Sequence, residues 1–349
     1  MVEKTILKTY DLDPESPEMI EQLIAADPEH PLGHLIEMSR LYWLDVYTRY
    51  DNSLKKKFLV KAKETLKIGR NYASDNEGDL DAQFYLGMIE LGIARHHIDN
   101  GRWFKSLMKV RPGLKRLQKI LDEKPDYHDV KQPVGLAHCY IANTPGYLQS
   151  FIRLLSFKGD FDLGLQLLEE CKAKGFITKF ESMVYLTDVA YELKKDNEAA
   201  REHMTALVEL FPNNIFFQRE LGVFEQLTGR NDQAITRYEG MLEFPDFDKY
   251  LRISYDIHTR LGQAYLSRGK MEKALAIANA CLTKMENVEA EGAIRSQTWL
   301  LLVKGGALRK LGKLDEAKAA YSQIKKKANE RAFETARNAL KEIKEQEEL

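Results

Sequence analysis

A 34-residue beat in the second half of this chain limits what it can fold into more than any other feature. Windows 181–214 and 215–248 abut without a gap, and Ala200 and Ala234 fall at the same internal offset. Repeats of this length are antiparallel helix pairs that cannot bury their apolar faces alone, so each pair must stack on the next. The predicted fold class is all-α, a solenoid of helix hairpins.

The rest of the sequence agrees. No sustained period-two alternation of β-branched residues marks a strand. Only ten prolines and 21 glycines punctuate 349 residues. Apolar residues recur at i, i+3, i+4 and i+7 almost throughout. Leu261, Ala264 and Tyr265 trace one face of a helix, and Ala274, Ile277, Ala278 and Cys281 trace one face of the next. Between them lies Ser267-Arg268-Gly269-Lys270, where glycine fits the left-handed conformation that closes many helices.

Spacing then makes a family resemblance specific. The tetratricopeptide repeat (TPR) motif has an aromatic or apolar residue at position 4, Leu-Gly at 7 and 8 and an aromatic at 11. Gly follows at 15, Ala at 20, an aromatic at 24, a small residue at 27 and Pro at 32. Window 255–288 resembles it through Leu261, Gly262, Tyr265, Gly269 and Ala274, and window 215–248 through Leu221, Gly222, Gly229, Ala234 and Tyr238. Window 181–214 supplies Tyr191, Ala200 and Pro212, and window 298–331 supplies Gly305, Gly312, Ala317 and Tyr321. Window 145–178 is a looser match that keeps Gly159 in the turn and Gly164 at the helix crossing. The resemblance implies a right-handed superhelix with five TPR-like repeats over 145–331. Gly at position 8 and Ala at 20 sit where two helices cross, and a larger side chain would push them apart.

Residues 1–144 read as an irregular helical half. Leu86-Gly87 resembles the 7–8 pair of another repeat, with its second helix delayed to 113–121 and an insertion of about a dozen residues around 96–109. Runs 32–50 and 54–72 suggest a longer helical hairpin. Pro28 closes a short helix at 20–26, which resembles the second helix of a repeat whose first is short or missing. At the other end, Ala332, Phe333, Ala336, Ala339, Leu340 and Ile343 form one apolar stripe opposite charged residues. That is the pattern of a capping helix, expected over 332–349.

A narrower resemblance rests on Lys124-Pro125-Asp126-Tyr127, Gly135-Leu136, Tyr140, Gly159-Asp160 and Gly164-Leu165. These residues are similar to bacterial TPR proteins of unassigned function, distantly like inclusion-body-clearance-type TPR proteins. A leader peptide is common in that branch. Met1-Val2-Glu3-Lys4 lacks the apolar run of a leader. The expected compartment is cytoplasmic, or extracytoplasmic if a leader has been removed.

Composition excludes several function classes. The net charge of −1 argues against a dedicated nucleic-acid binder. No stretch reaches the ~18 uncharged apolar residues of a membrane span. Cys139, Cys171 and Cys281 are odd in number and widely spaced, which reads as buried thiols rather than a disulfide framework. His96 and His97 are adjacent, so on a helix they point about 100° apart and cannot share a metal. His30 and His34 flank Pro31 without a completing ligand, and His138-Cys139 is not a nucleophile–base pair. Gly305-Gly306 has no preceding strand and no following Gly-Lys-Ser/Thr, so it is not a phosphate loop. The 53 acidic residues spread over solvent faces with no acid–base pair among them. No enzymatic activity, cofactor or metal is expected.

Two surfaces remain as binding candidates. In the TPR family the first helix of each pair lines a concave groove. By resemblance its positions map to Arg153, Phe157, Tyr185, Glu192, Phe216, Arg219, Gln226, Gln263, Trp299, Arg309 and Lys310. Aromatic residues and arginine dominate many interfaces, so the leading expectation is a scaffold for a protein or peptide segment. TPR domains that clamp acidic chaperone tails carry Asn at position 9. Here that position reads Arg153, Val189, Val223, Gln263 and Gly306, which argues against that subtype.

The second surface is basic. Segment 101–121 holds Arg102, Lys105, Lys109, Arg111, Lys115, Arg116 and Lys119 with no acid, and segment 53–70 is lysine-rich. If both cover one face they suit an acidic partner, a polyanion or anionic lipid head groups, or, with Trp103 and Arg111, a small anionic ligand. A third expectation, an architectural subunit of a bacterial envelope complex, rests on the bacterial resemblance alone.

Overall fold

The computed structural model describes residues 1–48, 52–144, 157–245, 247–285 and 291–348, and these contain helices and no strand. The chain divides into two compact units, Met1–Val46 with Asn52–Phe217, and Tyr47–Asp51 with Gln218–Leu349.

In the first unit the helices are α1 (Val2–Tyr10), α2 (Ser16–Ala26), α3 (Pro31–Thr48), α4 (Asn52–Asp75), α5 (Leu80–Asp99) and α6 (Trp103–Glu123). They continue as α7 (Lys131–Ala142), α8 (Phe161–Lys174), α9 (Lys179–Asp188) and α10 (Asn197–Leu210). Helix α9 ends in a wider π turn over Val189–Leu193. Asp79, Asp160 and Asp196 accept the amides of Asp81, Leu163 and Ala199, which satisfies orphan donors at the starts of α5, α8 and α10. Consecutive helices pair antiparallel and bury Phe58, Phe84, Ile89, Leu117 and Ile120 in a shared core.

Helix α11 spans Ile215–Leu227. The second unit continues with α12 (Asn231–Met241), α13 (Leu251–Ser267), α14 (Met271–Met285), α15 (Glu291–Lys310), α16 (Leu314–Ser322) and α17 (Glu330–Glu347). Asn329 accepts the Ala332 amide and starts α17. The stripe read from the sequence is the buried face of α17: Ala332, Ala336, Ala339 and Ile343 are buried, and Phe333 and Leu340 pack beside them.

Small residues let the paired helices cross closely. At α5 and α6, a Cβ on Gly113 would lie 3.0 Å from the Gly87 carbonyl oxygen. At α7 and α8, a Cβ on Gly164 would lie 2.7 Å from the Gly135 carbonyl oxygen. In two later hairpins the same position takes a ring. Side chains at Gly222 and Gly305 would collide with Tyr238 and Tyr321, the position-24 aromatics of the facing helices.

The turn position is also shared. Gly229, Gly269 and Gly312, all at position 15, have φ between 71° and 78°. In window 181–214 that place is held by Lys195 at φ 58°, a conformation that costs a non-glycine residue energy.

The extra residues around 96–109 form no separate segment: α5 runs to Asp99, and α6 starts at Trp103 after a three-residue turn closed by Gly101 at φ 67°. Ile93, Ala94 and His96 continue the buried stripe of α5, so the hairpin is longer rather than interrupted. Window 145–178 placed the first helix of its pair before Phe157, and residues 145–156 lie outside the described ones. The partner of α8 is α7, through Gly135, Gly164 and Cys139. The segment between these two paired helices spans 143–160.

The opening helix closes on the far end of its own unit. The Tyr10 ring lies 5.5 Å from both Phe180 and Phe211. Asp11 accepts from the Asn213 amide at 2.9 Å and its side chain at 2.7 Å, and Asn214 donates to the Tyr10 carbonyl at 2.6 Å.

Gly222→Ala should lower stability by about 1–3 kcal/mol through overlap with the Tyr238 ring. Adding Tyr238→Leu should recover part of that loss. Lys195→Gly should stabilise by about 0.5–1 kcal/mol. Urea midpoints of the variants measure all three; an unchanged midpoint in Gly222→Ala would refute the close crossing.

Candidate functional site

Within the first unit, the first helices of three pairs converge on Arg95. Its guanidinium, from α5, lies 5.1 Å from the Tyr42 ring and 4.7 Å from the Trp43 ring, both on α3, and 4.9 Å from the Tyr185 ring on α9. It also hydrogen-bonds the Tyr185 hydroxyl and lies 3.7 Å from the Glu181 carboxylate. Trp43 extends the cluster to Phe216, with ring centroids 6.4 Å apart. A cation among aromatic faces gains about 0.5–2 kcal/mol per good contact as it loses water.

The charges respond to this setting. Burial alone would lower the Arg95 pKa, but Tyr42, Glu181, Asp188 and Asp99 outweigh it and hold the pKa up. At Glu181 burial wins over Arg95, so the carboxyl sits above the usual carboxylate range. The Tyr42 hydroxyl donates to Asp99 at 2.5 Å, and Tyr140 on α7 donates to the exposed Glu192 at 3.2 Å.

The groove positions proposed from the sequence fall in different settings. Tyr185 is buried against Arg95, and Glu192 is exposed. Phe216 is half-buried beside Trp43. Phe157 precedes α8 and packs on His138, with ring centroids 4.6 Å apart. Arg153 lies outside the described residues.

In the second unit, Arg219 pairs with Asp256 at 2.7 Å and with its neighbour Glu220. Arg260 reaches the same Asp256 oxygen at 2.7 Å. Burial would raise the Asp256 pKa, but Arg219 and Arg260 outweigh it and hold the carboxyl below its usual range. Gln226 accepts from the Tyr238 hydroxyl at 3.1 Å, and Arg309 pairs with Glu342 of α17 at 2.7 Å. Trp299 is half-buried against the core of α15, α16 and α17. Only Gln263 and Lys310 of the proposed positions in this unit are exposed.

The basic segments meet in the first unit. Lys55 of α4 hydrogen-bonds Asn100 at the end of α5, and Arg102, Lys105 and Lys109 act electrostatically on His97 there. Arg102, Lys105, Arg111 and Lys115 are exposed and Lys109 is half-buried. Arg116 turns inward instead, to Glu90 at 3.4 Å and Gln83 at 2.5 Å. Trp103, Phe104 and Met108 are 68 %, 75 % and 63 % exposed. An exposure this high leaves no enclosing pocket at Trp103 for a small ligand.

Residues 255–283 match the tetratricopeptide repeat family. Residues 255–283 thus form a tetratricopeptide repeat. No curated protein sequence matches it. Among solved structures it resembles the human IFIT1 dimer with PPP-AAAA at 16 % identity and TM-score 0.49, covering 92 % of this chain and 68 % of that one. An IFIT1 monomeric mutant with Gppp-AAAA gives 14 % identity and TM-score 0.48, over 89 % of this chain and 66 % of that one. The crystal structure of yeast Tom70 gives 12 % identity and TM-score 0.30, over 94 % and 80 %. The chain thus spans about two thirds of the IFIT1 length.

Three features of this chain bear on chemistry. Among the described residues, no three His, Cys, Asp or Glu side chains converge as a metal site requires, and no helix is long and apolar enough to cross a membrane. Cys139, Cys171 and Cys281 are buried, and burial pushes their thiols up to about 11, 11 and 12. The Arg95 cluster was not visible in the sequence, since Tyr42, Trp43, Arg95 and Tyr185 come from three helices of no shared motif. Phe104 and Met108 did carry a signal, because they fall off the stripe of Ser106, Gly113, Leu114, Leu117 and Ile120 that α6 buries.

His96 sits under the basic segment, 1 % exposed, against the Phe58 ring at 4.4 Å, with Nε2 unpaired. Burial, then Lys55 and His97, hold its pKa down to about 4. The unfolded chain protonates it near pH ~6.5. Between those values the unfolded state binds the extra proton, so this contribution is full above about 6.5 and is lost as pH falls towards 4. His96→Leu should flatten the fall in urea midpoint between about pH 6.5 and pH 4; an unchanged slope would refute the role of His96.

Proposed function

We propose that this TPR protein is a non-catalytic scaffold that binds a protein or peptide segment on the first-helix faces of its hairpins. The observation that carries the reading is the Arg95 cluster. Three first helices place a cation, aromatic rings and carboxylates in one fixed arrangement, with the exposed Glu192 and Tyr191 beside it. A cluster that fixes these helices presents the exposed Tyr191 and Glu192 rigidly, so little entropy is lost when a short peptide binds.

The ion pairs decide which residues can report on a partner. Arg219 and Arg309 already satisfy carboxylates within the fold, so reversing their charge would disturb α11, α13 or α17 rather than a ligand. Glu192, Gln263 and Lys310 are exposed first-helix positions and better probes.

A photo-cross-linking amino acid at Glu192, Gln263 or Lys310 should capture a discrete partner from the source cell. The same group at Glu272 on the second helix α14 should not. Capture from both kinds of position at equal yield, or only from Glu272, would overturn the first-helix reading.

A further inference from the structure

We infer that the end of the α5–α6 hairpin is a docking surface for an anionic lipid bilayer. The inference is independent of the first-helix reading, because it uses the start of α6 and different side chains.

Two observations carry it. First, Trp103, Phe104 and Met108 project into solvent with 68 %, 75 % and 63 % exposure. Three large apolar side chains within six residues are unusual on a surface without a partner. Phe104 and Met108 are one turn apart and share a face of α6. Second, cations surround them. Arg102 and Lys105 are exposed, Lys109 is half-buried, and none of the three has an ion pair among the described residues. The lysine-rich start of α4 is anchored beside them through Lys55 and Asn100.

No acid opposes this charge within 101–121. The neighbouring Asp99 is engaged by the Tyr42 hydroxyl. A bilayer carrying anionic head groups matches both observations together. Tryptophan and phenylalanine settle at the level of the head groups, while flanking lysines and arginines meet lipid phosphates and carboxylates. A nucleic-acid strand accounts for the cations but not for an exposed thioether at the same spot. A single small anion needs enclosure, which a projecting surface does not give.

The test uses the full chain and vesicles of phosphatidylcholine with phosphatidylserine, against vesicles of phosphatidylcholine alone. The protein should co-sediment with the anionic vesicles only, and added salt should release it. Lys105→Glu with Lys109→Glu should weaken binding at least about tenfold. Trp103 is the exposed tryptophan, whereas Trp43 and Trp299 are half-buried. Its emission should shift to the blue on binding. Trp103→Phe should remove the shift and retain most of the binding, which separates insertion from misfolding.

No binding to anionic vesicles would overturn the inference, as would equal binding to both vesicle types or insensitivity to the charge reversal. Binding of a single-stranded RNA oligonucleotide through Lys105 and Lys109, with vesicles left unbound, would assign the surface to a different partner.

Discussion

Everything in this chain depends on how closely the two helices of a hairpin can approach. Backbones that nearly touch at Gly87 and Gly113, or at Gly135 and Gly164, leave no room for a Cβ. In the hairpins with Tyr238 and Tyr321 the space beside glycine is filled by a ring instead. Both solutions give dense packing without large side chains on both partners. The separation of the two helices within each of these hairpins follows from those crossings.

That constraint explains which parts of the fold were legible. Small residues at fixed offsets are a sequence signal, so the hairpins around Gly222, Gly262 and Gly305 could be read directly. Gly87 and Gly113 could be read too, and the extra residues between them lengthen both helices. Their helical character lay in His96 and Ser106, polar residues that occupy buried positions and blur the apolar pattern. Gly164 was legible as a crossing residue, but its neighbour Gly135 lies further back in the chain than the motif's spacing.

Candidate sites were less legible for a different reason. Sequence position can place a residue on a first helix, but it cannot say whether the fold has already used that residue. Arg219 and Arg309 look like groove cations and are neutralised by Asp256 and Glu342. Tyr185 looks like an anchor and is buried beneath Arg95. Conversely Arg95 belongs to no motif position considered, and its importance comes from rings supplied by α3 and α9. Charge that is already paired inside a repeat holds the array together; charge left unpaired at the start of α6 faces outward.

The clasp between Tyr10, Asp11 and residues 211–214 has a consequence for assembly in time. A repeat array ordinarily grows from contacts between neighbours, and each pair can settle as soon as the next is made. Here the first helix finds its aromatic partners and its asparagine donors some two hundred residues later in the chain. During synthesis α1 emerges long before Phe211 and Asn214 exist, so Ile6 can pack early on Ile20 and Ile36 while Tyr10 and Asp11 must wait for them. Closing so long a loop late adds non-local order to an otherwise local fold, which slows the last step and ties the hairpins of this unit into one cooperative event.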